Sequence, residues 1–232
     1  MTQMPNRQYK QQETGTSPTP LKQWPAINGN SPWQRTLRVF RNGRVKLPRV
    51  LGPLLLVHYV MSGCVPLVLW PLSAIHLKAG IALLVILAGI GIRIWSRGHH
   101  VQNTLYTNGP YALVQHPLYL GTFLISYGVC VILNDWLLTV VYLAYFSIFY
   151  AATILSEEIS MYDKFGQTYS IYFSRTPSIV PYRFSGLHLR DLGGWSWGEF
   201  RKTTELRSSM LYLCIPLFLI LFSRAMTAFY AW

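Results

Sequence analysis

The sequence predicts an all-α protein, an integral membrane helical bundle of about five transmembrane helices. Three observations predict it. Hydrophobic residues make up 51% of the 232 and charged residues only 12%, about half the charged fraction of a soluble domain, so there are too few charges to solvate a globule. Apolar stretches near the length of a membrane span, about 20 residues, recur along the chain. The 20 Lys and Arg stand against eight acids and gather in alternate segments, the pattern of cytoplasmic loops.

The first 30 residues are rich in Gln, Thr, Pro and Asn and hold no apolar run. They read as a disordered tail, and without a hydrophobic region they are no signal peptide. Residues 31–49 read as a basic interfacial segment. Ser31-Pro32 is a helix start, Trp33, Leu37 and Phe40 share a helical face, and Arg35, Arg38 and Arg41 lie mostly elsewhere. A basic juxtamembrane tail without fixed structure fits the same composition. Residues 50–232 form the membrane domain, with spans expected at Val50–Trp70, Ile75–Trp95, Leu118–Leu133, Trp136–Leu155 and Met210–Trp232. Only Asn134-Asp135 separates the third and fourth, which predicts a tight antiparallel helical hairpin. Trp70, Trp95, Trp136 and Trp232 fall at span ends, where aromatic belts sit.

The charges fix the expected topology. A cytoplasmic N-terminus puts every Lys and Arg except Lys78 and Arg224 on one side. The formal charge of +12 is then the positive-inside signal, and no nucleic-acid partner is needed to explain it. Three Cys without paired spacing exclude a disulfide scaffold and a Cys-based zinc site. His99, His100 and His116 have no acid at ligand spacing, so no metal is expected. No repeat relates the two halves, against a transporter. His58 lies in the first span, where a neutral His hydrogen-bonded between helices is expected. Arg224 can snorkel to the far interface.

Two polar, aromatic segments fall on the same side of the membrane. The first is Asn108-Gly109-Pro110-Tyr111 followed by Gln115-His116-Pro117-Leu118-Tyr119-Leu120-Gly121. Gly-Pro makes a turn, and Pro117 takes the favoured first position of a helix. His116 therefore sits at a helix N-terminus, where the dipole favours an anion. An amphipathic His at an ordinary interfacial helix start has the same signature. The second segment places Glu157 and Glu158 at the inner end of the fourth span, where two acids in a last helical turn oppose the dipole and each other. Tyr162, Phe165, Tyr169 and Tyr172 follow at helical spacing, and a helix lying along the membrane explains that stripe equally well.

Gly-Pro-Tyr, then His-Pro-Leu-Tyr-Leu-Gly, then Glu-Glu, Phe-Gly-x-x-Tyr-x-x-Tyr and a closing Pro together resemble the isoprenylcysteine carboxyl methyltransferase family, to which phospholipid N-methyltransferases are related. The resemblance covers residues 79–182. It implies cytoplasmic catalytic segments, S-adenosylmethionine bound from that side, and a lipophilic small-molecule or lipid-modified acceptor entering from the bilayer. By resemblance Tyr111, His116, Pro117, Tyr119, Gly121 and Tyr169 line the cofactor site, with Gly121 giving it room. Glu157 and Glu158 pair with the cofactor ammonium or hold an arginine. The family usually has Arg before the His, and here that residue is Gln115. Arg93 is the expected substitute, orienting an acceptor carboxylate, with Arg175 and Arg183 behind it. Carboxyl O-methylation is the activity implied; an amine lipid or small thiol acceptor, or a non-catalytic lipid-binding protein, is the alternative.

Overall fold

The computed structural model describes residues 32–62, 75–99, 104–182, 195–205 and 207–214. The expected tail 1–30, the end of the first span, Arg183, His100 and most of the fifth span lie outside them. The described residues hold no strand, and their helices are α1 Pro32–Met61, α2 Ile75–His99, α3 Pro110–Leu113, α4 Pro117–Leu133, α5 Trp136–Phe165, α6 Gln167–Arg175 and α7 Trp197–Arg201. Residues 207–214 are also helical.

The hairpin is where the sequence places it. Asn134 closes α4 with a left-handed φ of 55°, a conformation Asn tolerates better than most residues. Asp135 then caps α5, its Oδ1 accepting from the Leu137 and Leu138 amides at 2.8 and 3.1 Å, which satisfies two donors a helix start leaves open. The Tyr142 hydroxyl donates to the Phe123 carbonyl across the hairpin at 3.1 Å.

Glycines let α2 pack antiparallel against the other side of α4. A Cβ on Gly89 would lie 2.7 Å from the Gly121 carbonyl oxygen, and one on Gly128 would lie 2.9 Å from the Ala82 oxygen. Small residues at such crossings allow backbones to approach closely. Ala82, Ile86, Ile90, Ile125 and Ile132 form the buried core of this contact.

α1 differs from expectation. One continuous helix runs through the boundary at residue 49, with Pro48 and Pro53 inside it. Each internal proline removes a backbone hydrogen bond, and packing against α5 holds the helix together. Phe40 meets Phe149 edge-on at 5.6 Å, the Tyr145 hydroxyl donates to the Arg44 carbonyl at 2.6 Å, and His58 Nε2 lies 3.2 Å from Asp135 Oδ2. These contacts run α1 antiparallel along α5. Leu37 is buried, so the basic segment is packed against protein at that face.

α5 also outruns its expected end at Leu155. No breaker occurs before Gly166, which ends the helix with φ 54°. Glu157 and Glu158 therefore lie about two turns inside α5 and not in its last turn. The aromatic stripe is broken at the same glycine, with Tyr162 and Phe165 on α5 and Tyr169 and Tyr172 on α6.

Among the described residues two segments, Gly80–His99 and Trp136–Phe165, are long and apolar enough to cross a membrane, fewer than the five expected, and α4 is a shorter apolar helix. Only 28% and 22% of their apolar windows are buried within the protein. A core helix of a soluble fold would be mostly covered, so these apolar faces need another cover. Leu54, Leu56 and Val57 of α1 are likewise exposed.

Candidate active site

The site is built at the N-terminal end of α4, on a floor made by residues 108–117 and α6. Gly109 turns the chain with φ 62°, and a Cβ there would come within 2.6 Å of the His99 ring, so both backbone and packing call for glycine. The loop is then fastened to the residues after α6 by backbone bonds from Gln115 N to Pro177 O at 2.9 Å and from His116 N to Ser178 O at 3.0 Å. The buried Gln115 amide adds bonds to the Phe173 and Thr176 carbonyls at 3.1 and 2.5 Å. Its oxygen lies 3.5 Å from the Tyr169 hydroxyl. The Tyr172 hydroxyl donates to the Tyr111 carbonyl at 2.7 Å. Tyr169 is buried in this floor, and its hydroxyl titrates above the usual range because of burial and then the Glu158 and Glu157 charges. Burial, opposed by Arg97 and assisted to a smaller extent by Glu157, pushes Tyr111 to about 12, so it is a neutral group at pH 7.

Above the floor stands a mixed cluster. His116 is the residue at the start of α4, with Pro117 behind it in the first helical position. Its Nε2 lies 3.4 Å from Glu158 Oε1, and its Nδ1 lies 3.9 Å from Glu157 Oε2. The first distance is short enough for a contact, yet the geometry is out of line, and the buried Nε2 has no hydrogen-bond partner. Ser178 Oγ donates to Glu158 Oε1 at 3.2 Å. The Tyr119 ring stacks on His116 at 5.8 Å, and its hydroxyl donates to Glu157. That same hydroxyl accepts from Arg44 Nη1 at 3.1 Å. Glu158 is buried, whereas the Glu157 side chain is 45% exposed, so one acid is structural to the cluster and the other is open to a ligand.

Arg93 belongs to a second cluster on the neighbouring face of α4. Its Nε and Nη2 form a two-pronged pair with the buried Glu205 carboxylate at 2.7 and 3.0 Å. Its Nη1 donates to Thr122 Oγ1 at 2.5 Å and to the Leu118 carbonyl at 3.3 Å. Arg97 Nε approaches the same Glu205 at 3.4 Å. Gly121 serves this cluster too, because a Cβ there would lie 2.6 Å from Arg93 Cγ. Its missing side chain makes room for α2. Arg175 is an exposed residue ending α6.

His116, Tyr119, Glu157 and Glu158 are thus brought together, with Tyr111 and Tyr169 in the floor beside them, while Arg93 and Gly121 lie across α4. Sequence reasoning missed Arg44, Glu205 and Ser178. Glu205 had one signal, an isolated acid just before an apolar stretch; Arg44 had none among eight other basic residues in 1–49. Among the described residues no group of His, Cys, Asp and Glu could hold a metal. The shallow groove between α2 and α4, lined by Lys78, Ala82, Tyr127 and Gly128, lies at the other end of those helices.

Residues 72–168 match the family described as phospholipid methyltransferase, a little under half of the chain. The matched segment takes in His116, Tyr119, Glu157 and Glu158 but not Arg44, Tyr169, Ser178 or Glu205. The protein-S-isoprenylcysteine O-methyltransferase of Schizosaccharomyces pombe is 32% identical over 33% of this chain and 33% of its own length. The Homo sapiens protein of that name is 37% identical over 36% of this chain and 32% of its own. The cobalt-zinc-cadmium resistance protein CzcN of Cupriavidus metallidurans is 33% identical over 60% of this chain and 61% of its own. The chain therefore spans about a third of the isoprenylcysteine relatives and under two thirds of CzcN. No solved structure matches. These findings support the resemblance to the isoprenylcysteine carboxyl methyltransferase family.

Proposed function

We propose that this chain is an integral membrane methyltransferase of about five spans with a cytoplasmic N-terminus, transferring a methyl group from S-adenosylmethionine to a lipophilic acceptor at the cytoplasmic face, by carboxyl O-methylation of an isoprenylcysteine-type acid. The observation that carries the reading is the His116–Tyr119–Glu157–Glu158 cluster, which falls inside the matched segment.

The donor set fits that cofactor. The exposed Glu157 carboxylate and the buried Glu158 can neutralise an ammonium. The unpartnered His116 Nε2 offers a hydrogen bond, and the start of α4 favours a carboxylate. Tyr111, neutral at pH 7, and Tyr119 present aromatic faces with hydroxyl ends; Pro117 and Tyr169 act behind them, fixing the helix start and the floor. S-adenosylmethionine supplies an electrophilic methyl carbon on a sulfonium, which departs as a neutral thioether. An acceptor carboxylate is already ionised at pH 7 and needs no strong base. The chain's own task is then to position the reactants and exclude water, which suits a cluster held by a rigid floor.

A second reading, an amine lipid as acceptor, is favoured by the description of the matching family and by the two acids, which would suit a cationic head group. Calorimetry with S-adenosylmethionine in detergent tests the enzyme reading, and absence of binding overturns it. Transfer of labelled methyl to a prenylated cysteine acid, compared with phosphatidylethanolamine, then decides the acceptor. Tags at the two chain ends test the topology: a tag on residue 1 should be cytoplasmic, and one after Trp232 should be on the far side.

A further inference from the structure

Within the methyltransferase reading, on which this inference rests, we propose that Arg44 of α1 is a specificity-determining residue that binds the anionic group of the acceptor, a carboxylate or a lipid phosphate. α1 lies wholly outside the matched segment 72–168, so nothing in the comparisons assigns it a part in the site.

The first argument is placement. Arg44 is brought to the site by several independent contacts. Gly43 sits so close to α5 that a Cβ would lie 2.8 Å from Phe149 Cε1, and the Tyr145 hydroxyl holds the Arg44 carbonyl at 2.6 Å. The guanidinium then lies 5.8 Å from the Tyr119 ring centroid and 6.0 Å from that of Tyr150, within cation–π range. Nη1 donates to the Tyr119 hydroxyl at 3.1 Å, and that hydroxyl is bound to Glu157. This long side chain is held in one arrangement against the cluster.

The second argument is donor supply. Binding a carboxylate or phosphate takes a pair of parallel N–H donors. Arg93, the arginine that the sequence offers, has Nε, Nη1 and Nη2 all engaged by Glu205, Thr122 and the Leu118 carbonyl. Releasing it would leave the buried Glu205 carboxylate short of its main partner, an uncompensated buried charge. In Arg44 only Nη1 is committed among the described hydrogen bonds, and Nε and Nη2 remain for a ligand.

The third argument is depth. Tyr145 and Tyr150, which contact Arg44, precede Glu157 on α5 by about two turns or more, about 10 Å or more of helix. They lie on the side of the exposed apolar residues of α1 and α5. Glu158, His116 and Ser178 lie on the loop side. The Arg44 guanidinium thus reaches the Tyr119–Glu157 edge of the cluster from the α1 side, while His116 and Glu158 face it from the loop side.

The test uses the full chain in detergent micelles, with S-adenosylmethionine Kd by calorimetry and methyl transfer to a prenylated cysteine acid or to phosphatidylethanolamine, whichever wild type accepts. Arg44→Gln is expected to raise the acceptor KM about tenfold, the loss of a charge-assisted two-point contact, with cofactor Kd within about twofold of wild type. Arg44→Lys keeps the charge without the fork and is expected to fall between; it also carries the test if Arg44→Gln does not insert. Tyr119→Phe is the contrast and is expected to weaken the cofactor more than the acceptor. A rise in cofactor Kd at unchanged acceptor KM in the Arg44 variants overturns the proposal, as does an unchanged KM for the accepted substrate. Failure of wild type to bind the cofactor instead removes the methyltransferase reading, so the two failures are distinct.

Discussion

Gln115 stands where the family that this chain resembles usually carries arginine, and the structure gives it a task that can be weighed. α6 ends at Arg175, and two residues later comes Pro177. The Phe173 carbonyl would ordinarily receive the amide of the residue four places on, but that residue is Pro177, which has none. The Gln115 side chain supplies the missing donor at 3.1 Å and bonds the Thr176 carbonyl as well. Gln115→Leu keeps the approximate volume and removes both donors. Leaving a buried acceptor unsatisfied costs about 1–3 kcal/mol; with the two carbonyls partly able to reach water, a total near 2–4 kcal/mol is expected. The backbone bonds to Pro177 and Ser178 should keep the site assembled but looser, so cofactor affinity falls by a smaller factor. Gln115→Arg should be tolerated, because a guanidinium can serve the same two carbonyls and a cation is favoured at a helix C-terminus. Thermal unfolding in detergent and calorimetry read both effects. The reasoning is refuted if Gln115→Leu is as stable as wild type, or if Gln115→Arg changes acceptor preference at unchanged stability, which would mean that this side chain faces the acceptor.

Other outcomes follow from the same geometry. His116→Ala should weaken S-adenosylmethionine binding by about 1–3 kcal/mol, read by calorimetry, and should also cost some stability because the ring is 10% exposed and stacked on Tyr119. Glu157→Gln, at the open carboxylate, should reduce cofactor affinity with little change in melting temperature, whereas Glu158→Gln, buried against Ser178, should lower both; equal effects in both assays would contradict the division between an open and a buried acid. Gly121→Ala should destabilise by about 1–3 kcal/mol through overpacking, since the new Cβ meets the Gly89 backbone oxygen at 2.7 Å. Gly52→Ala, with nothing within 4 Å, serves as its control in thermal unfolding.

What the sequence discloses and what it hides divide along physical lines. The start of α4 and the hairpin at Asn134-Asp135 were legible because proline, asparagine and aspartate act locally on the backbone. The extension of α5 past Leu155 is hidden, since Glu157 and Glu158 look like a helix end when no partner is in view, and their partners His116, Tyr119 and Ser178 come from other elements. α1 divides in sequence into a basic stretch, 31–49, and an apolar one from Val50, while the contacts that hold them as one helix through Pro48 and Pro53 come from α5. The pairings of Arg44 and Glu205 are hidden for one reason: their partners Tyr119 and Arg93 are 75 and 112 residues away in sequence, and even the isolated position of Glu205 before an apolar stretch does not name its partner.

The contiguous His-Pro-Leu-Tyr-Leu-Gly segment is itself divided by helix geometry. Successive residues turn by about 100° on a helix, so His116, Tyr119 and Phe123 face α5 while Leu118, Gly121 and Thr122 face α2. A motif that reads as one unit in sequence therefore builds two different things on one helical turn. On the α5 side an open carboxylate and a histidine nitrogen without a partner remain available for chemistry. On the α2 side every polar atom of Arg93 is engaged and the glycine admits a neighbouring backbone, which is what a packing contact needs. Two arginines approach that single turn from opposite sides. The buried two-pronged contact of Arg93 with Glu205 locks α2 to the chain after residue 195, and the uncommitted donors of Arg44 leave the α5 side the one able to receive an anion.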